Sequence, residues 1–150
     1  MQNTQCSPGL SQPKIPSPRS AWARYYRRWA ELTLDQGGGA LIDLAEPLDR
    51  FVPPARLLDK RVYSPWTEGH FDSLLRETSV NTLVITGGET DICVLATVLG
   101  AIDRGFRVVV VADALCSSTD DQHDALLTLY TERFSEQLEV CGLEEVLEAW

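Results

Sequence analysis

Residues 80–111, VNTLVITGGETDICVLATVLGAIDRGFRVVVV, leave few folds open to this chain. Residues 80–86 are a short β-branched and aliphatic run that stops at Gly87-Gly88, the pattern of a strand buried on both faces. Thr90 and Asp91 are residue types that cap a helix, and the apolar spacing predicts one over 90–104 with Gly105 as its stop. Residues 106–112 supply a second strand. Strand, helix and strand in this order make a βαβ unit, so the two strands are expected to be parallel.

Cys93 falls in the first turn of that helix, beyond the carboxyl end of the first strand. Open α/β sheets bind ligands at this edge. A helix N-terminus brings a partial positive charge and N–H groups that stabilise a thiolate. The same groups can hold the oxyanion formed when sulfur attacks a carbonyl. A small buried Cys is the alternative reading of the position.

The longer string LVITGGETDICVLATVLGAIDRGFRVVVVADALCS resembles the signature of the isochorismatase-like cysteine hydrolases, whose nucleophile lies in a G-x-x-T-x-x-C-V pattern. Here the pattern is Gly87, Thr90, Cys93 and Val94, and the resemblance runs over about residues 52–140. It implies a three-layer, doubly wound, Rossmann-like α/β fold with a mostly parallel sheet and helices on both faces. By position it implies Cys93 as nucleophile, a non-proline cis peptide between Gly88 and Glu89, and oxyanion donors at Glu89 N and Cys93 N. In DKRVYSPWTEGHFDSLL it puts Lys60 on the family's catalytic lysine, delivered by a short strand over 56–59. Trp66, in a turn with Ser64 and Pro65, and Thr90 are expected to line the substrate pocket.

The family's acid belongs on a first strand, an apolar run ending in Asp well before the lysine. No such run precedes Ala21, and GGGALIDLAEPL is only an imitation, with Asp43 after a brief apolar stretch and Pro47, Pro53 and Pro54 ahead of Lys60. The expectation is therefore a domain over 21–150 that lacks the first strand, with poor stability or self-association as the result. Residues 1–20 hold four of the eight prolines and no acid, the composition of a disordered segment. A Ser/Arg-rich, acid-free start also suits a transit peptide; a shortened N-terminus is the preferred reading.

Residues 21–34 read as a helix, because Trp22, Tyr25, Tyr26 and Trp29 recur at i, i+3, i+4 and i+7 with Arg24, Arg27 and Arg28 off the stripe. Helices are also read over 67–77, 120–134 (Ala125, Leu126, Leu129 and Phe134 inward) and 143–150, with a strand over 138–141. Asp113 reads as a loop residue in an Asx turn, and Cys116 as a small loop residue.

Charge narrows the partners. The net charge is −9, and all 22 Asp and Glu follow residue 30, which argues against nucleic acid or an anionic membrane as the main partner. No apolar run is long enough to span a bilayer. The four cysteines show no CxxC pairing, which suits a reducing cytoplasm. His70 and His123 form no D-x-H cluster, and Gly87-Gly88 lacks dinucleotide spacing, so neither metal nor cofactor is expected. Two function classes follow. One is a hydrolase of small amide-like substrates, working as a homo-oligomer. The other is a catalytically impaired remnant that binds a ligand or a subunit.

Overall fold

The computed structural model describes residues 21–33, 36 and 43–150. The disordered segment expected over 1–20 and the apolar run 40–42 lie outside them. Two compact units are present, one formed by Tyr63–Trp150 and the other within Ser7–Val62.

The larger unit is built on three parallel strands in the order β1-β2-β3: β1 Thr82–Gly88, β2 Arg107–Cys116 and β3 Leu138–Cys141. Its helices are α3 (His70–Thr78), α4 (Leu95–Asp103), α5 (Asp120–Arg133) and α6 (Leu143–Ala149). Val108, Val109, Val110 and Val111 of β2 are all buried. Successive side chains on a strand face opposite ways, so both faces of the sheet are covered. Leu83 and Ile85 of β1 add to this core. The α/β fold with a parallel sheet is thus the one the βαβ pattern predicts.

Trp66 joins α4 to this core. Its ring packs on Phe71 and Phe106 at centroid distances of 4.7 and 6.1 Å, and its indole N–H donates to Thr97 O at 3.0 Å. A Cβ on Gly100 would stand 2.2 Å from the Trp66 ring, so only glycine lets the helix approach it. Arg104 lies over the same ring at 4.3 Å and ion-pairs with Asp72 at 2.7 Å. Trp66 is 6% exposed. Phe71, Phe106, Gly100 and Arg104 thus surround the indole.

Several boundaries shift. β1 starts two residues later than read, and β2 runs on to Cys116, taking in Asp113. Asp113 makes no Asx turn of its own; its carboxylate accepts from Leu143 N at 2.8 Å and caps α6. On α5 the inward stripe is His123, Leu126, Leu127 and Tyr130, whereas Ala125 and Leu129 are exposed. The stripe is rotated because its two ends are polar-tipped residues that a count of apolar side chains passes over.

In the smaller unit, α1 (Ala21–Arg28) is shorter than read and is followed by a 3₁₀ turn at Ala30–Leu32. Trp22 stacks on Tyr26 at 5.9 Å, but the buried residues are Ala23 and Tyr26, and Trp29 is exposed. A four-residue helix, α2 (Glu46–Asp49), follows. Residues 56–59 form no strand. Strand geometry persists only where a neighbour completes the ladder, and these residues follow Pro53-Pro54 with Leu57 61% exposed. Among the described residues no helix is long and apolar enough to cross a membrane.

Candidate active site

β1 ends in an irregular turn. Its register against β2 slips between Ile85 and Gly87, and Gly87 takes φ 104°, a left-handed conformation that favours glycine. Gly88 pairs with Cys116 at the end of β2. A Cβ on Gly88 would lie 2.9 Å from Cys116 Sγ and 3.2 Å from Cys116 O, so the position has no room for a side chain. The next peptide bond, Gly88–Glu89, is cis.

The helix then begins as a wide turn. Val94 N donates to Glu89 O at 3.0 Å, a five-residue step, and Thr90–Val94 forms one π-helical turn before α4. Such turns inside helices are rare and recur at functional sites. Cys93 is half-buried in this turn, and its carbonyl accepts from the Thr97 hydroxyl at 2.7 Å. Glu89, rather than Thr90 or Asp91, occupies the cap position.

Thr90 is 0% exposed. Its hydroxyl lies 3.1 Å from Cys116 O and 3.0 Å from His123 Nδ1. Its carbonyl accepts from the Tyr130 hydroxyl at 3.4 Å. Burial, with the Asp91 carboxylate nearby, pushes the Tyr130 phenol up, so it serves as a neutral donor.

Two serines after β2 complete the network. Ser117 Oγ donates to Asp91 at 2.6 Å, and Ser118 Oγ donates to Glu89. Both carboxylates flanking Thr90 are therefore tied to the neighbouring loop. Sequence reasoning passed over Ser117, Ser118, His123 and Tyr130. The available signals were the polar loop directly after β2 and the seven-residue spacing of His123 and Tyr130, two turns apart on one helix face.

Cys116 and Cys141 end β2 and β3 at the same edge of the sheet. Burial, then Glu145, Glu139 and Asp113, push the Cys141 thiol up and keep it protonated. Lys60 is half-buried in the smaller unit, where its ammonium donates to Val62 O at 3.2 Å. Asp43 is exposed in a bend of that unit. Among the described residues no group of three or more His, Cys, Asp or Glu is placed to hold a metal ion. His70 is exposed at the start of α3, and His123 is engaged with Thr90.

Comparison with known proteins converges on one group. The isochorismatase domain model matches residues 11–140, beginning inside the segment read from composition as unstructured. The isochorismatase family protein PncA of Bacillus subtilis (strain 168) is 31% identical over 86 residues, which cover 57% of this chain and 47% of that one. The crystal structure of nicotinamidase PncA from Bacillus subtilis superposes with a TM-score of 0.62 at 25% identity, covering 70% of this chain and 60% of the other. A cysteine hydrolase from Pseudomonas syringae pv. phaseolicola 1448A shares the fold, with a TM-score of 0.64 at 21% identity over 93% of this chain and 68% of its own. The chain spans about half the length of the curated relatives it matches.

Proposed function

Because the chain belongs to the isochorismatase family, we propose that it is a cysteine hydrolase cleaving the C–N bond of a small amide. The observation that carries this reading is the position of Cys93, in the turn after β1 at the carboxyl edge of a parallel sheet. Ligands of open α/β sheets gather at that edge.

The Cys93 sulfur attacks the carbonyl carbon, a C–S bond forms, and the carbonyl π pair moves to oxygen. Glu89 N and Cys93 N hold that oxyanion, and the resemblance gives the Lys60 ammonium the task of favouring the thiolate and the developing charge. Collapse of the intermediate breaks the C–N bond, and the nitrogen leaves with the proton that Cys93 gave up. Water then cleaves the thioester and restores the thiol. A carboxylate carries the proton between sulfur and nitrogen, and the resemblance gives that task to an Asp on a first strand, which Asp43 only imitates.

A second reading, a remnant that binds a small ligand without turnover, is favoured by one observation. Among the described residues no strand bearing an Asp lies beside β1, and Asp43 is exposed in a bend.

The deciding experiment measures ammonia release from a panel of small primary amides, nicotinamide among them. The hydrolase reading predicts turnover that falls by about 10⁴-fold or more in Cys93→Ala and by about 10²- to 10³-fold in Lys60→Ala. Saturable binding of an amide with no release of ammonia would sink the hydrolase and leave the remnant.

A further inference from the structure

The hydrogen bonds around Thr90 determine which ring nitrogen of a neutral His123 carries its hydrogen. A threonine hydroxyl has one proton to donate, and a backbone carbonyl can only accept. Thr90 Oγ1 meets two partners, Cys116 O at 3.1 Å and His123 Nδ1 at 3.0 Å. If the hydroxyl proton went to the imidazole, Thr90 Oγ1 and Cys116 O would face each other as two bare acceptors beside a fully buried side chain. That arrangement carries the cost of unsatisfied buried polar groups. The proton therefore goes to Cys116 O, and the imidazole must present Nδ1–H to the hydroxyl. The result is a directed chain from His123 Nδ1–H to Thr90 Oγ1–H to the Cys116 carbonyl.

The same helix holds Thr90 at its other end. Tyr130, seven residues after His123 on α5, donates its hydroxyl to Thr90 O at 3.4 Å. Thr90 thus has its side chain and its carbonyl both gripped from α5, three residues ahead of Cys93 in the same π turn. We infer that His123 is a positioning residue for the nucleophile: its Nδ1–H tautomer orients the Thr90 hydroxyl onto the end of β2 and fixes the turn that presents Cys93. This rests on the cysteine-hydrolase reading for its purpose, but the tautomer and the turn can be tested without any turnover.

The test is made on the whole chain. Nitrogen-15 spectroscopy of the histidine side chains, at a pH where the imidazole is neutral, should show His123 with a pyrrole-like Nδ1 and a pyridine-like Nε2. Most imidazoles without such a partner prefer the opposite form, which should appear in Thr90→Val. The iodoacetamide labelling rate of Cys93 gives the second readout. Loss of one neutral hydrogen bond predicts a fall of about two- to tenfold in His123→Gln, whose amide sits one bond too far out. In His123→Asn an amide N–H replaces Nδ1–H, and the rate should return to within about twofold of the unmodified chain. An Nε2–H tautomer in the unmodified chain overturns the inference, as does equal labelling of the Asn and Gln variants. Turnover of amides with the wrong tautomer would remove this inference and leave the hydrolase standing. The right tautomer and Asn rescue without turnover would do the reverse.

Discussion

The two ends of α4 are anchored by different physics. Its C-terminal half is fixed by packing, where Gly100 admits the Trp66 ring and Phe71, Phe106 and Arg104 close around it. Its N-terminal approach is fixed by hydrogen bonds between Thr90 and Asp91 and the end of β2, the hydroxyl of Ser117 in the loop after it, and the imidazole and phenol of α5. Apolar packing is strong and tolerant of direction, whereas hydrogen bonds are weaker but set orientation. The division places rigidity where the fold needs it and directional control where Cys93 sits.

If that division is right, the packed end carries the larger stability effect. Trp66→Ala should cost about 3–5 kcal/mol, the range for deleting a buried aromatic ring. Urea unfolding of the variant checks this, and a loss below about 1 kcal/mol would show that the aromatic cluster is not the anchor.

The hydrogen-bonded end should respond less, and differently. Gly88→Ala pushes a methyl group toward Cys116 Sγ and Cys116 O. Overpacking of this kind costs about 1–3 kcal/mol. Part of the penalty comes from the sulfur alone, so adding Cys116→Ala should recover a measurable share. No recovery in the double variant would move the conflict to the backbone oxygen.

The smallest effect belongs to the Asp72–Arg104 pair at the packed end. The Arg104 hydrogen bonds hold the Asp72 carboxyl below its ordinary value. A group with a depressed folded-state pKa stabilises the fold above its unfolded value near 4, and the contribution is lost as pH falls through the folded value. Both side chains are partly exposed, at 34% and 22%, so the pair contributes only about 0.2–1 kcal/mol at pH 7. Asp72→Asn should lose that amount at pH 7, and the gap from the unmodified chain should close below about pH 4. A gap that persists in acid would mean Asp72 acts through packing rather than charge.

The same division explains what could be read from the chain before its structure. The βαβ unit was legible because residues 82–86 and 107–111 are nearly unbroken apolar runs, and burial on both faces demands such runs. The stop at Gly105 and the strand ending at Cys141 were legible for similar local reasons. The hydrogen-bonded end was not. Thr90 read as a cap because Thr caps helices, but tertiary partners 26 and 33 residues away claimed its hydroxyl instead. His123 and Tyr130 were left out of the inward stripe of α5 because each is polar at its tip, although Tyr130 is fully buried. The segment 56–59 read as a strand from its place before Lys60, whereas a strand needs a partner that no local pattern guarantees.

The account turns on Cys93 being presented as a reactive thiolate at the head of α4. Peptide mapping after brief iodoacetamide treatment near neutral pH tests this directly, because Cys6, Cys116 and Cys141 serve as internal standards. Cys116 is the informative one: it is exposed, while Cys93 is half-buried, so accessibility alone would favour Cys116. The account predicts that Cys93 is labelled first, ahead of all three, with Cys141 slow because its thiol is held protonated. Labelling of Cys93 at the rate of Cys116 or slower would contradict it.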